Sequence, residues 1–303
     1  MNLIRATKHF FQDPAYKIVK FALHFVPAAA IPDKLFLKYQ FHYVFGYRLD
    51  LKHPKTFNEK LQWLKLYDRN PLYTTLVDKY AVKQWVADKI GEQYVIPTLA
   101  VYDSVDEICW DDLPKQFVMK CTHDSGSTCI CKDKASFDIE TAKKTLKTSL
   151  ATDFYIKNRE WPYKKVPHRI IAEKYTLDRE TGSLPDYKFF CFDGEVKMMF
   201  VATERQNMNS ETRFDFYDKD FNHIHLTNGH PMADKMPRKP DSFDEMIKVA
   251  TQLSKGIKHV RVDLFEANGK IFFGEMTFYH WGGFTLLEPS SWDKQMGDWI
   301  KIP

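Results

Sequence analysis

Residues 260–277 read Val260-Arg261-Val262-Asp263-Leu264-Phe265-Glu266-Ala267-Asn268-Gly269-Lys270-Ile271-Phe272-Phe273-Gly274-Glu275-Met276-Thr277. Two apolar-rich runs flank Asn268-Gly269, and both of those residues tolerate the positive φ of a tight hairpin. A loop of Ala267-Asn268-Gly269, with glycine in the left-handed position, pairs Glu266 with Lys270, Asp263 with Phe273 and Arg261 with Glu275. Side chains alternate between the faces of a strand, so Arg261, Asp263, Glu275 and Thr277 then share one face. Two carboxylates at adjacent levels of one face are costly without a counter-charge. Mg²⁺, a hard cation that takes oxygen ligands and bridges phosphates, would supply it. Arg261 alone could also neutralise Glu275. A loop one residue shorter or longer would send the two carboxylates to opposite faces.

Working outward, Asp193-Gly194 marks a second hairpin between strands at residues 187–192 and 195–201. Residues 242–255 read as a helix capped by Ser242. Further upstream, residues 117–121 form a strand, residues 123–128 a turn of small residues and residues 129–132 a return strand. Lys120 leaves that strand beside a loop whose backbone N–H groups could cradle phosphate oxygens; the bland alternative is a plain hairpin with an exposed lysine. A helix at 141–150 and a strand at 169–175 follow.

The first part of the chain is helical. Residues 1–50 are apolar and interrupted by Pro27 and Pro32. Thr56 and Glu59 have the spacing of a capping box, opening a helix over 57–67 with Phe57, Leu61 and Leu64 on one stripe, broadened by Trp63 and Leu66. A single helix over 72–89 stops near Gly91. Short strands at 94–96 and 99–102 surround Pro97. Helices give way to mixed strands and helices near residue 114, which favours α+β layers over a TIM barrel. The chain contains neither GxGxxG nor GxxxxGK[ST], so the Rossmann and P-loop fingerprints are missing.

Bulk composition fits this reading. Of 303 residues, 44% are hydrophobic, with 24 Phe, 15 Tyr and 7 Trp, enough for a filled core. The 44 basic and 40 acidic residues leave a net charge of +4, too mild to imply nucleic acid. Five cysteines in so long a chain do not make a disulfide framework and suit a reducing cytoplasm. No stretch reaches the ~18 apolar residues of a membrane span. Lys20, His24 and Pro27 break the apolar segment at 18–31, so an amphipathic helix is preferred there over a signal peptide. Such a helix would pack on the body, or rest on the inner face of the cell membrane through residues 1–31.

Seven stretches, in order, resemble one family: PKTFNEKLQWLKLYDR, VDKYAV, LPKQFVMKCTHDSGS, REWPYK, RIIAEKY, DYKFFCFDGEVK and RVDLFEANGKIFFGEMTF. They run from about residue 54 to 278 and resemble the ATP-grasp superfamily, in particular its TupA-like branch of bacterial polysaccharide and teichuronopeptide biosynthesis. The resemblance implies an α+β, ATP-grasp fold of two lobes clasping ATP. Residues 1–114 would be a helix-rich region ahead of it, 115–175 the smaller lobe and 176–303 the larger.

The resemblance also implies roles. Lys79 and Lys120 match the two nucleotide lysines, and Ser125, Gly126 and Ser127 the mobile loop. Glu173 and Lys174 match the hinge where adenine is read, and Asp186 and Lys188 the ribose or phosphate contacts. Asp263 and Glu275 match the Mg²⁺ carboxylates, with Thr277 where many relatives have a metal-binding Asn. Arg261 or Arg205 would clamp a substrate carboxylate. The implied reaction activates a carboxylate as an acyl phosphate with ATP and Mg²⁺ and passes it to an amine. A uronic acid of a surface saccharide, lipid-linked or not, fits the branch. The sequence His280-Trp281-Gly282-Gly283 departs from the Pro and small residue usual before glycine, and this falls in the acceptor pocket.

Two rival constellations remain. Cys121, His123, Cys129 and Cys131 could bind zinc, but C-x-H-x5-C-x-C is not the usual structural spacing, and buried thiols are preferred. Asp218-Lys219-Asp220 is the short DxD of metal-dependent glycosyltransferases, the alternative enzyme reading; a solvated turn explains it as well. A third reading is a protein that binds nucleotide or sugar without turnover, against which Lys120, Asp263 and Glu275 argue.

Overall fold

The computed structural model describes residues 26–179, 182, 184–204 and 211–303. Arg205, and residues 1–25 of the N-terminal segment, lie outside the described residues. Helices α1 (Asp33–Phe45), α2 (Phe57–Tyr67), α3 (Leu72–Val77) and α4 (Ala81–Ile90) lead into two antiparallel sheets. The smaller sheet holds β1 (Thr98–Tyr102), β2 (Phe117–Cys121), β3 (Cys129–Cys131) and β4 (Ile170–Lys174), in the order β1-β4-β2-β3. Between β3 and β4 come α5 (Ile139–Leu150) and α6 (Phe154–Asn158).

The larger sheet holds β5 (Asp186–Phe192), β6 (Glu195–Thr203), β7 (Arg213–Asp218), β8 (His223–Ile224), β9 (Val260–Ala267) and β10 (Lys270–Thr277). Its order is β10-β9-β5-β6-β7-β8. Helix α7 (Phe243–Ser254) covers one face of it, with Phe243 against Phe189 and Met246, Val249, Ala250 and Leu253 in the shared core. That apolar cover leaves the other face for chemistry. Helix α8 (Ser291–Trp299) closes the chain.

Helix α2 begins where the capping box puts it. Thr56 accepts from Glu59 N at 3.2 Å, and Glu59 accepts from Thr56 N at 3.0 Å. A cap of this kind stabilises a helix by about 1 kcal/mol. The apolar stripe is buried as read, but the other face is not solvated. Asn58, Gln62 and Lys65 are buried and grip the C-terminal region. Asn58 donates to Asp293 Oδ1 at 2.9 Å and to Thr285 O at 3.0 Å, Gln62 to Gly283 O at 2.7 Å, and Lys65 to Gly282 O at 2.6 Å.

Four sequence expectations change. The single helix over 72–89 is two helices, because Asp78 turns back and accepts from Tyr80 N and Ala81 N at 2.9 and 3.2 Å, starting α4 afresh. Residues 94–96 are not a strand: Glu92–Tyr94 is a 3-10 turn. Strand β1 pairs with β4, so the smaller sheet begins at Thr98, ahead of residue 115. Ser242 does sit at the N-cap of α7, but its side chain makes no capping bond.

Candidate functional site

The site starts with a register. Asn268 (φ 53°) and Gly269 (φ 70°) form a two-residue turn, so Ala267 pairs with Lys270 and Leu264 with Phe273. The expected loop of Ala267-Asn268-Gly269 is thus one residue too long. Continued unchanged, the shorter loop would have placed Asp263 opposite Gly274 and turned Glu275 away. A bulge at Gly274 restores the parity: Asp263 pairs with Glu275 and Arg261 with Thr277. A side chain there would have to displace its neighbours, since a Cβ on residue 274 would lie 2.8 Å from the Phe265 ring and 3.1 Å from Asp263 O.

Lys188 is the neighbour of Asp263 on β5, so Glu275, Asp263 and Lys188 stand in one row across three strands. Lys188 Nζ bonds Asp263 and lies 2.6 Å from Asp186 Oδ2. Arg261 grips Asp263 with two bonds, of 2.6 and 2.7 Å. It also donates to Thr277 Oγ1 at 3.0 Å and lies 3.4 Å from Glu275. The guanidinium that was expected to clamp a substrate has its bonds inside the protein. Burial works against its charge, but Asp263 and Glu275 outweigh that and hold it protonated.

The remaining guanidinium nitrogen donates to His280 Nδ1 at 2.8 Å. Arginine can only donate, so His280 carries its proton on Nε2. That nitrogen is 2.7 Å from the Asn228 side-chain amide, whose oxygen must face it. The same orientation gives Asn228 Oδ1 the partner it otherwise lacks. Burial, then Arg261, keep His280 neutral by pushing its pKa well down.

The smaller sheet supplies the opposite wall. Lys120 and Glu173 pair at 2.6 Å, and Lys83 takes the other oxygen of Glu173 at 2.5 Å. Burial raises the Glu173 carboxyl, but Lys120 and Lys83 hold it below the usual range. Both its oxygens are engaged, so it positions lysines here. Lys174 lines the cleft beside it. Lys79, freed by the helix break, donates to Asp124 O at the base of the 123–128 loop. Burial lowers the Lys79 pKa, opposed by Glu275 and Asp124.

Within the loop, Ser125 and Gly126 line the cleft, while Ser127 is buried and donates to Asp124 at 2.7 Å. Its hydroxyl braces the loop and does not face the cleft. The thiols of Cys121 and Cys131 are buried in the smaller sheet's core, with Cys129 packed at its margin. His123 stacks on His168 at 3.6 Å.

Between these walls lies a cleft of about 870 Å³. Lys79, Lys120 and Lys174 line it together with Lys188, Asp263 and Glu275 of the larger sheet, with Ile96, Val118, Ile130 and Phe265 as its apolar part. Glu275 keeps 38% of its side chain exposed. Burial would raise its pKa, but Lys188, Lys79, Arg261 and Lys120 pull it down to about 2. Among the described residues, no three His, Cys, Asp or Glu side chains form a ready-made metal cage. A hard cation could take one or two carboxylates, and it would need further oxygens from a ligand. Lys83 and Asn228 had no assigned role in the sequence reading, and His280 was placed there in the acceptor pocket. Lys83 sits in the first turn of α4, just after the break that holds Lys79.

Asp218 and Asp220 sit elsewhere, in the β7–β8 turn. Asp218 accepts from Asp220 N at 2.9 Å and Asn222 N at 2.8 Å, and Asp220 pairs with Lys219.

Two antiparallel sheets closing on a cleft of lysines and carboxylates define the ATP-grasp class of fold. Within that class the chain belongs to the TupA-like ATP-grasp family, whose sequence profile matches residues 59–301. No protein of curated description matches it. Among solved structures, D-alanine–D-alanine ligase of Bacillus anthracis in complex with ATP is 13% identical, over 67% of this chain and 54% of that one, with a TM-score of 0.39. The ATP-grasp ligase PsnB, solved with its minimal precursor, Mg and ADP, is 10% identical over 81% of this chain and 62% of that one, TM-score 0.39. D-Alanine–D-alanine ligase of Helicobacter pylori is 9% identical over 81% and 69%, TM-score 0.40. The chain thus spans 54% and 62% of the length of the first two. Among the described residues no helix is long and apolar enough to cross a membrane.

Proposed function

We propose that the protein is an ATP-dependent carboxylate–amine ligase acting on a uronic acid or similar carboxylate of a bacterial surface saccharide. The observation that carries the nucleotide chemistry is the pairing of Asp263 with Glu275, beside Lys188 on one sheet face that lines a cleft with Lys79 and Lys120. Lysines of this kind offset the charge of a triphosphate and of the oxygens that shift during phosphoryl transfer. The Ile96, Val118 and Ile130 part of the cleft suits a purine ring.

The donor set fits Mg²⁺. Asp263 and Glu275 carry hard oxygens on adjacent strands; those of Asp263 already accept from Arg261 and Lys188 and would share that contact, while Glu275 keeps its carboxylate ionised and open to the cleft. Those two residues would hold the ion, which supplies charge neutralisation on the phosphates. Thr277 is turned to Arg261 instead. In the proposed reaction the substrate carboxylate attacks the γ-phosphorus of ATP, and ADP departs. An amine then attacks the acyl carbon, loses a proton and expels phosphate. The Ser125-Gly126 loop, over the cleft, would keep water from the acyl phosphate.

The test is calorimetry of ATP with Mg²⁺ on the wild type, Lys120→Ala and Glu275→Gln, followed by a screen of uronic acids and amines for ADP release. Micromolar binding that collapses in both variants supports the reading. Binding of a UDP-sugar with no binding of ATP would replace it with the glycosyltransferase.

A further inference from the structure

Residues 26–30 read Val26-Pro27-Ala28-Ala29-Ala30, and all five are exposed, Val26 to 41%. Pro32 and Leu35 are exposed beside them, linked by a 3.0 Å bond from Leu35 N to Pro32 O. A continuous run of exposed apolar residues is unfavourable in water unless something uses it.

The fold holds this run firmly. Ala28–Ala30 is a 3-10 turn, closed by a bond from Ala30 N to Pro27 O at 2.8 Å. Buried Arg159 donates to Ala28 O and, at 3.4 Å, to Ile31 O. Its guanidinium lies 4.5 Å over the Phe36 ring and 3.6 Å from Asp33. An interior arginine thus anchors an apolar loop that faces outward.

The rim of that loop is basic. Lys34 and Lys38 are exposed on α1, one turn apart. Tyr155 bonds Asp33, and exposed Lys164 stands 4.9 Å over the Tyr155 ring. Exposed Lys157 lies 5.9 Å over Phe154. The nearby acids are engaged: Asp33 by Arg159, Arg69 and Tyr155, and Asp153 by Tyr155 N, at the start of α6. Residues 1–25, which join the loop at Val26, carry Arg5, Lys8, Lys17 and Lys20 against Asp13.

Apolar side chains ringed by lysines match the interface of an anionic bilayer, where acyl chains meet the former and headgroup phosphates the latter. A water-soluble polyanion would pair with the lysines but give the apolar run nothing to enter. We infer that the 26–30 loop and the lysines around it seat the protein on an anionic membrane surface. This goes beyond the ligase reading and does not rest on it.

The experiment sediments the full chain with vesicles of phosphatidylcholine, with and without phosphatidylglycerol. Binding should require phosphatidylglycerol and weaken steeply with added salt. Lys34→Gln, Lys157→Gln and Lys164→Gln combined should weaken it about a hundredfold, since a lysine near an anionic surface contributes about fivefold. Val26→Asp should weaken it about tenfold with every lysine in place. Both variants should keep the wild-type circular dichroism and thermal midpoint. The inference is overturned if the wild type does not sediment with phosphatidylglycerol vesicles, or binds phosphatidylcholine alone as tightly. It is also overturned if both variants bind as the wild type does, which would assign the binding to residues 1–25. Binding of polyglutamate without binding of vesicles would give this face to an acidic polymer instead.

Discussion

Asp263 and Glu275 face one another across β9 and β10 because Gly274 adds one residue to β10 between them and the turn. The two-residue turn alone would have put the carboxylates on opposite faces; turn and bulge cancel. The pairing of these acids is therefore set at two places in the hairpin.

Gly274→Ala tests that dependence. Its Cβ would press on Phe265 and Asp263 O, at a cost of about 1–3 kcal/mol. Urea unfolding should show the loss of stability. Calorimetry should show weaker Mg·ATP binding in the fraction still folded. Unchanged values for both would mean that the bulge is not needed.

The acid limb of stability should report Glu275. Its carboxyl titrates ordinarily at 4.5 and in the fold at about 2. Its ionised form thus contributes stability in full above about pH 4.5, and that contribution is lost as pH falls towards 2. Denaturant midpoints of the wild type should decline more steeply from pH 4.5 to 3 than those of Glu275→Gln. Parallel declines would refute the assignment.

Glu173 holds Lys83 and Lys120 together in a nearly buried triad. Glu173→Gln leaves two lysines facing each other without a counter-charge and should cost about 3 kcal/mol. Lys83→Met keeps the Glu173–Lys120 pair and should cost less, while weakening ATP binding through a less firmly held Lys120. Thermal unfolding of both variants, with ATP titrations, decides whether Lys83 supports the site.

Asp218→Ala and Asp220→Ala should leave ATP binding and ADP release within about twofold of wild type, as exposed turn substitutions do. Loss of turnover in either variant would revive the DxD reading.

Local rules made much of the fold legible. The Thr56–Glu59 box, the Asp193-Gly194 turn and the strand at 117–121 follow from chemistry within a few residues, and each stands where that chemistry puts it. The shared face of Asp263 and Glu275 was also foreseen, through a register that was wrong by one residue and a bulge that was not foreseen. Long-range partners were not legible. Nothing near Asp78 in sequence announces that it will take Arg169, 91 positions on, and the bond from Arg261 to His280 depends on a loop brought back over the sheet. The partners of α2's polar face lie far away in sequence, as with Gln62 and Gly283 at a separation of 221. Lys79, Lys120, Asp186, Lys188, Asp263 and Glu275 meet around one cleft; Ser127 and Arg261 turn inward instead.

Asn58 and Asp293 are 235 positions apart. At a synthesis rate of ~5–20 residues per second, helix α2 leaves the ribosome roughly 10–50 s before its partner exists. Through that interval Phe57, Leu61 and Leu64 have no finished core to enter, and Asn58, Gln62 and Lys65 lack the groups they bind on Gly282, Gly283, Thr285 and Asp293. The nascent chain therefore carries an amphipathic helix in waiting, a natural target for chaperones, and a message truncated before codon 282 would yield a polypeptide unable to dock it.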